Sequence, residues 1–212
     1  MKKILINLLI LSTCTFATFA QNSANIQLPA PKKDGGIPIM KALQNRKSSR
    51  TFVAGKELTN QQISNLLWAA YGFNRPNKRT APSATDSQEF TLYVFLKSGI
   101  YKWDDSKNIL IHIATGDYRA ITGKQDFVKD ASLNIVFVAN YNKLTKYTTD
   151  IEKSNMAHIN CGYISQNIYL YCASEGLATI VRGWIDKDEI AKKLQLPSYQ
   201  KVIVAQSVGY DK

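Results

Sequence analysis

Thr59-Asn60-Gln61-Gln62-Ile63-Ser64-Asn65-Leu66-Leu67-Trp68-Ala69-Ala70-Tyr71-Gly72 carries both ends of a helix in its own letters. Thr59 and Gln62 stand at capping-box spacing, where a hydroxyl and an amide satisfy the exposed donors of a helix start. Ile63, Leu66, Leu67, Ala70 and Tyr71 recur at helical spacing, and Gly72 closes the run. A helix with one apolar face needs another layer to cover it. The residues on either side supply that layer.

Upstream, Pro38 to Arg46 reads as a short helix with Pro38 near its start. Residues 21–37, with Pro29, Pro31 and Gly35-Gly36, read as an arm or linker able to wrap a partner. Downstream, Arg75 to Gln88 is a loop of turn formers and cations. Glu89 to Leu96 reads as a strand, dense in aromatic and β-branched residues. Short strands are expected at Tyr101–Trp103 and Ile109–Ala114, a small helix around Gln125–Ala131, and a buried strand at Leu133–Ala139. The longest helix is expected from about Glu152 to Glu175, stopped by Gly176. Its polar interruptions (His158, Asn160, Gln166, Asn167) suit a dimer core or a cofactor wall. A strand over Leu177–Ile185, a helix capped by Asp186, and a strand over Lys201–Val208 complete an α+β pattern. The central sheet is expected to be mostly antiparallel, with helices flanking it.

With 45% hydrophobic and 20% charged residues, the chain has the composition of a globular protein, and its 212 residues suffice for one core. The N-terminus stands apart. Lys2-Lys3, the apolar Ile4–Leu11 and the small-residue exit Ala17–Ala20 form a signal peptide over residues 1–20. A lipoprotein reading would place the lipid on Cys14, but Thr13 fits poorly before it. Export to the periplasm or cell envelope follows as the expectation, with no transmembrane segment after removal of the signal. Losing Lys2 and Lys3 lowers the net charge from +11 to +9, a balance that attracts anions. No single basic block argues for nucleic acid. Cys161 and Cys172 would lie about 16 Å apart along one helix, so they are read as buried free thiols, not a disulfide. His112 and His158 have no neighbouring ligand pattern, so no metal is expected and both are read as structural.

Three clusters carry chemistry. In Arg46-Lys47-Ser48-Ser49-Arg50, guanidinium forks and hydroxyls can grip phosphate oxygens. If the segment is extended, Arg46, Ser48 and Arg50 share a face. Alone, a solvated charged loop is the stronger reading. In Arg79-Thr80-Ala81-Pro82-Ser83-Ala84-Thr85-Asp86-Ser87-Gln88, small residues around Pro82 let a flat ring approach the backbone, but an ordinary loop before a strand explains them as well. In Val181-Arg182-Gly183-Trp184, a strand ends where Gly183 permits a turn that exposes backbone N–H groups. A plain connection is the competing reading.

Taken together, in order and spacing, the three clusters resemble the nitroreductase superfamily from about Pro38 to Gly209. The similarity includes Leu67-Trp68-Ala69-Ala70-Tyr71-Gly72 followed by Arg79-Thr80-Ala81-Pro82-Ser83-Ala84, the flavour of the branch that includes azoline-forming dehydrogenases. The resemblance implies a nitroreductase-like domain over residues 38–212, an intertwined homodimer and FMN as cofactor. Arg46, Lys47, Ser48 and Arg50 would hold its phosphate and ribityl chain. Pro82, Ser83, Ala84 and Asp86 would line the isoalloxazine, Asp86 standing where many relatives have Asn. Val181, Arg182 and Gly183 would approach from the other subunit, with a backbone N–H near flavin N5. Lys212 would supply the basic group that relatives place beyond the last strand.

The implied activity is ping-pong hydride transfer through flavin N5 to a quinone, nitroaromatic or similar small acceptor. The cofactor carries the redox chemistry, so no acid–base dyad is called for among the side chains. Tyr71, Phe73, Tyr118 and Trp184 are candidates for the acceptor pocket. Export sets a problem, because NAD(P)H is a cytoplasmic reductant, and the donor stays open. The alternative is an exported flavin- or anion-binding dimer without turnover.

Overall fold

The computed structural model describes residues 24–212. The expected signal peptide at residues 1–20, with Cys14, lies outside the described residues. Among the described residues nine strands and four helices follow in order. They are β1 (Ile26–Gln27), α1 (Ile39–Asn45), α2 (Asn60–Tyr71), β2 (Phe73–Arg75), β3 (Lys78–Arg79), β4 (Phe90–Leu96), β5 (Gly99–Asp104), β6 (Ile109–Thr115), β7 (Leu133–Asn140), α3 (Asp150–Glu175), β8 (Ala178–Arg182), α4 (Lys187–Lys193) and β9 (Gln200–Gly209). Seven strands form one sheet in the order β1-β6-β5-β4-β7-β9-β8. Every pairing in it is antiparallel.

The apolar run at 133–139 belongs to a strand covered on both sides. Leu133, Ile135, Phe137 and Ala139 of β7 join the core that holds Leu66, Leu67 and Ala70 of α2 and Ile164 and Ile168 of α3. Val136 and Val138, at the alternate positions, meet Ile190 and Leu194 at α4. β4 does the same, with Leu92 and Val94 on the first face and Tyr93 and Phe95 on the second. Period-two alternation therefore divides each strand between two apolar layers, and no polar face appears in the sequence.

Helix ends follow their capping chemistry. The Thr59 hydroxyl accepts from the Gln62 N–H at 3.2 Å, and Gln62 Oε1 accepts from the Thr59 N–H at 2.9 Å. A second capping box, Thr149 with Glu152, starts α3 two residues before the sequence reading placed it. Gly176 closes α3 in the left-handed conformation (φ 67°), where a glycine has no Cβ penalty. Gly72 acts differently. Its φ is −72°, and a Cβ there would lie 2.4 Å from the Trp68 ring, so close approach requires the glycine. The small helix expected at 125–131 is a single 3-10 turn, Asp126–Lys129. The strand expected over 177–185 covers only Ala178–Arg182.

The arm is fastened to its own chain. β1 pairs with β6, and Leu28 is buried. The Pro29 carbonyl accepts from Ser64 Oγ (2.6 Å) and Asn108 Nδ2 (2.8 Å). Further along, the Lys32 N–H donates to Asn65 and the Ile37 N–H to Ser174. Both Cys161 and Cys172 are buried free thiols, and burial pushes both well up from the ordinary thiol range. His112 packs edge-on against Tyr101, and His158 Nδ1 lies 2.7 Å from the Ser154 carbonyl. Among the described residues no helix is long and apolar enough to cross a membrane.

Candidate functional site

The basic segment leaves α1 at Arg46 and runs extended beside β8. The Ser49 N–H donates to the Thr179 carbonyl at 3.0 Å, and the Val53 N–H to the Tyr210 carbonyl at 2.9 Å. The extended geometry separates neighbouring side chains, as the sequence reading required. The Arg46 guanidinium lies over the Tyr169 ring, 5.4 Å from its centroid. Ser48 Oγ lies 2.9 Å from Tyr169 Oη. Arg46 and Ser48 thus share one side, and Arg50 is exposed.

Lys47 is paired within the chain. Its ammonium pairs with Asp211 at 2.8 Å. The same carboxylate accepts from Ser49 Oγ at 2.6 Å and Thr51 Oγ1 at 2.8 Å. The Lys47 hydrogen bond, seconded by Ser49, holds the Asp211 carboxyl down at about 2. Three donors and a carboxylate form a closed knot, so Lys47 faces an internal anion first. Lys212 is exposed beside it.

β8 is the edge strand next to this segment. The Val181 N–H points outward and donates to Tyr169 Oη at 3.0 Å. The Arg182 side chain turns the other way, into the core. Its Nη1 donates to the Thr122 carbonyl at 2.6 Å and its Nη2 to Asn134 Oδ1 at 3.1 Å. Only 4% of Arg182 is exposed, and burial lowers its pKa to about 10. Only its backbone belongs to the edge. A Cβ on Gly183 would meet open space.

The loop with Pro82, Ser83, Ala84 and Asp86 lies elsewhere. The Ala84 N–H donates to Asn160 Oδ1 at 3.1 Å, and the Gln88 N–H to Ser83 Oγ at 3.0 Å. Asp86 receives Lys78 Nζ at 2.6 Å and Gln88 Nε2 at 3.0 Å, and the Lys78 hydrogen bond lowers its pKa. Asn160 itself is held by the buried Glu89, whose Oε1 accepts from Asn160 Nδ2 at 2.8 Å. Asn160 precedes Tyr169 by nine residues on α3, about 14 Å along the axis and half a turn around it. Within one protomer the basic segment and the β8 edge meet at Tyr169, while the loop sits against the opposite face of α3. Val181–Gly183 thus lie beside the basic segment of their own chain.

Of the four candidate pocket aromatics, Tyr71 is core, 1% exposed and edge-on to Phe90. The Arg79 guanidinium covers the Tyr71 and Phe73 rings, and Lys193 covers Tyr118. Trp184, 64% exposed, stands just past β8. Sequence reasoning missed Tyr169 and Asp211. Tyr169 sits among the apolar residues of a long helix, and Asp211 gave no signal beyond being an acid beside a lysine.

Comparison with known proteins places the chain. Residues 43–210 match the model of the Nitroreductase family. A protein of Methanocaldococcus jannaschii assigned as a nitroreductase is 27% identical over 194 residues, covering 86% of this chain and 96% of that one. A crystal structure of a protein of Ralstonia eutropha, likewise assigned as a nitroreductase, is 36% identical with a TM-score of 0.83, covering 90% of this chain and 91% of that one. The NADPH:FMN oxidoreductase of Vibrio harveyi, complexed with NAD+, shares the fold at 19% identity and a TM-score of 0.60, over 82% of this chain and 69% of that one.

Proposed function

The chain belongs to the nitroreductase family, and from that premise we propose that it is an FMN-dependent oxidoreductase, working as a homodimer on a small acceptor such as a quinone or nitroaromatic. The observation that carries the reading is the meeting of Arg46, Ser48 and the β8 edge at Tyr169. The donor set fits the cofactor. Two guanidinium groups and a hydroxyl on an extended segment suit a phosphate dianion, and an edge strand ending in open space at Gly183 leaves room for a flat ring. Arg46, Ser48 and Arg50 would hold the phosphate and ribityl chain, with Lys47 and Lys212 at the rim of that cradle. The backbone of Val181–Gly183 would face the ring, and bound FMN supplies the hydride chemistry at N5 in a ping-pong cycle.

The same geometry supports a dimer. Pro82, Ser83, Ala84 and Asp86 would reach the ring from a second protomer, because their own α3 separates them from the cradle. Ile39, Met40 and Leu43 on α1, with Ile151, Ile159 and Tyr163 on α3, leave an apolar surface exposed. A second copy is the natural cover. Export to the periplasm remains part of the proposal, with an electron donor other than free cytoplasmic NAD(P)H.

Titrating purified protein with FMN tests the reading. The flavin band should shift on binding, bleach with NADPH or dithionite, and recover with menadione. Protein that binds no flavin sinks the proposal. Protein that binds flavin but neither bleaches nor recovers is instead a flavin-binding dimer.

A further inference from the structure

Tyr169 Oη stands between the Val181 N–H of β8 and Ser48 Oγ of the basic segment, and hydrogen counting favours one order for the pair. A backbone N–H can only donate, so Val181 donates to Tyr169 Oη (3.0 Å). The phenol has one hydrogen of its own, and Tyr169 is 8% exposed. A buried hydroxyl hydrogen needs an acceptor, and Ser48 Oγ stands at 2.9 Å. If Ser48 donated to the phenol instead, the phenol would take two donors and its own hydrogen would find no acceptor between Ser48 and Val181. The chain therefore runs one way: Val181 N–H to Tyr169 Oη, then Tyr169 O–H to Ser48 Oγ. That order leaves the Ser48 hydrogen free for an outside acceptor, on an exposed side chain. Aligned hydroxyls polarise one another, so the outermost hydrogen is a stronger donor than that of a free serine. Beside it, Arg46 is parked over the same tyrosine ring, 5.4 Å from the centroid.

We propose that Tyr169 is a positioning residue that aims the Ser48 hydroxyl outward as an anion donor and so makes the site discriminate FMN from riboflavin, its dephosphorylated form. The proposal rests on the flavin reading above. It assigns Tyr169 no contact with the cofactor, since it acts through Ser48 and the placement of Arg46. Discrimination follows because only a phosphate meets the Ser48 hydrogen, whereas both flavins present the same ring to the β8 edge.

The test measures binding of FMN and of riboflavin to the whole protein. Tyr169→Phe removes the hydroxyl and keeps the ring under Arg46. Its FMN Kd should rise about ten-fold, the loss of one charge-assisted hydrogen bond, while its riboflavin Kd stays within about two-fold, well inside half a decade. Ser48→Ala should produce the same selective loss, and the double variant should be no worse than Ser48→Ala alone, because both remove one chain. Equal loss for both flavins in Tyr169→Phe, or losses that simply add, overturns the proposal. Should Tyr169→Phe fold poorly, fluorotyrosine at 169 keeps the shape and strengthens the phenol as donor. The preference for FMN over riboflavin should then rise, and a fall overturns the assignment. Wild-type protein that binds neither flavin brings down the cofactor reading itself. Wild-type binding with an unchanged preference in the variants brings down only the role given to Tyr169.

Discussion

The Lys47 ammonium lies 2.8 Å from the Asp211 carboxylate, so a cation of the proposed phosphate cradle is already answered by an acid from the far end of the chain. The carboxyl is held at about 2 by Lys47 and Ser49, below its ordinary value of 3.8. A carboxylate whose pKa is depressed on folding adds stability above its unfolded value, and that stability is lost as pH falls towards the folded one. Asp211→Asn should therefore lower the thermal midpoint at pH 6, and the gap to wild type should close between about pH 4 and pH 2. A gap constant across that range contradicts the assignment. At neutral pH the same variant frees Lys47, and FMN affinity should rise a few-fold, as for one added cation near a phosphate.

Glu89 is 1% exposed and accepts from Ser87 Oγ (2.7 Å) and Asn160 Nδ2 (2.8 Å). Asn160 in turn holds the Ala84 N–H. Glu89→Ala leaves the buried Asn160 amide without its acceptor, a loss of about 1–3 kcal/mol. Urea denaturation measures that loss. Amide exchange should locate it, with Ala84 exchanging faster and the amides of β7 unchanged. Uniformly faster exchange would mean a general loss of packing.

Gly123 leaves the space that the Arg182 guanidinium fills. A Cβ there would come within 1.8 Å of Arg182 Nη1, and that group is fixed by Thr122 and Asn134. Gly123→Ala should destabilise by about 1–3 kcal/mol, the usual cost of overpacking. In an Arg182→Leu background the same change should cost little, because the obstructing group is gone. Equal costs in both backgrounds would place the strain elsewhere.

The helices and the doubly covered strands were legible because their signals are local. Thr59 and Gln62 meet over one turn, and Leu133–Ala139 is apolar at every position but Asn134. The extended basic segment was legible too, since Arg46, Ser48 and Arg50 alternate. Long-range pairing was not. Nothing near Lys47 announces Asp211, 164 positions on, which the antiparallel β9 carries back beside it. The inward turn of Arg182 depended on Asn134 and Thr122, polar residues that read as a strand interior and a loop. The proposed division of the site across α3 depended on helical phase. Asn160 and Tyr169 lie half a turn apart, and motif order along the chain does not show that.

The proposed dimer makes the sharpest demand on the proposed site. On α1, Met40 is 74% exposed and Ile39 58%. On α3, Ile151, Ile159 and Tyr163 fall within an arc of about 120° at exposures of 75%, 51% and 46%. Two neighbouring helices thus turn an apolar surface outward, while their other faces are packed into the core. If a second copy covers it, Met40→Asp and Ile159→Asp together should convert the dimer to monomer in analytical ultracentrifugation, since an unpaired charge in an apolar interface costs several kcal/mol. Both side chains are exposed, so each protomer should keep its fold and its Arg46–Tyr169–Ser48 cluster. FMN affinity should nevertheless collapse, because the Pro82–Asp86 loop would no longer reach the ring from across the interface. A monomer that binds FMN as tightly as the parent protein would show that one chain completes the pocket, against the geometry of α3.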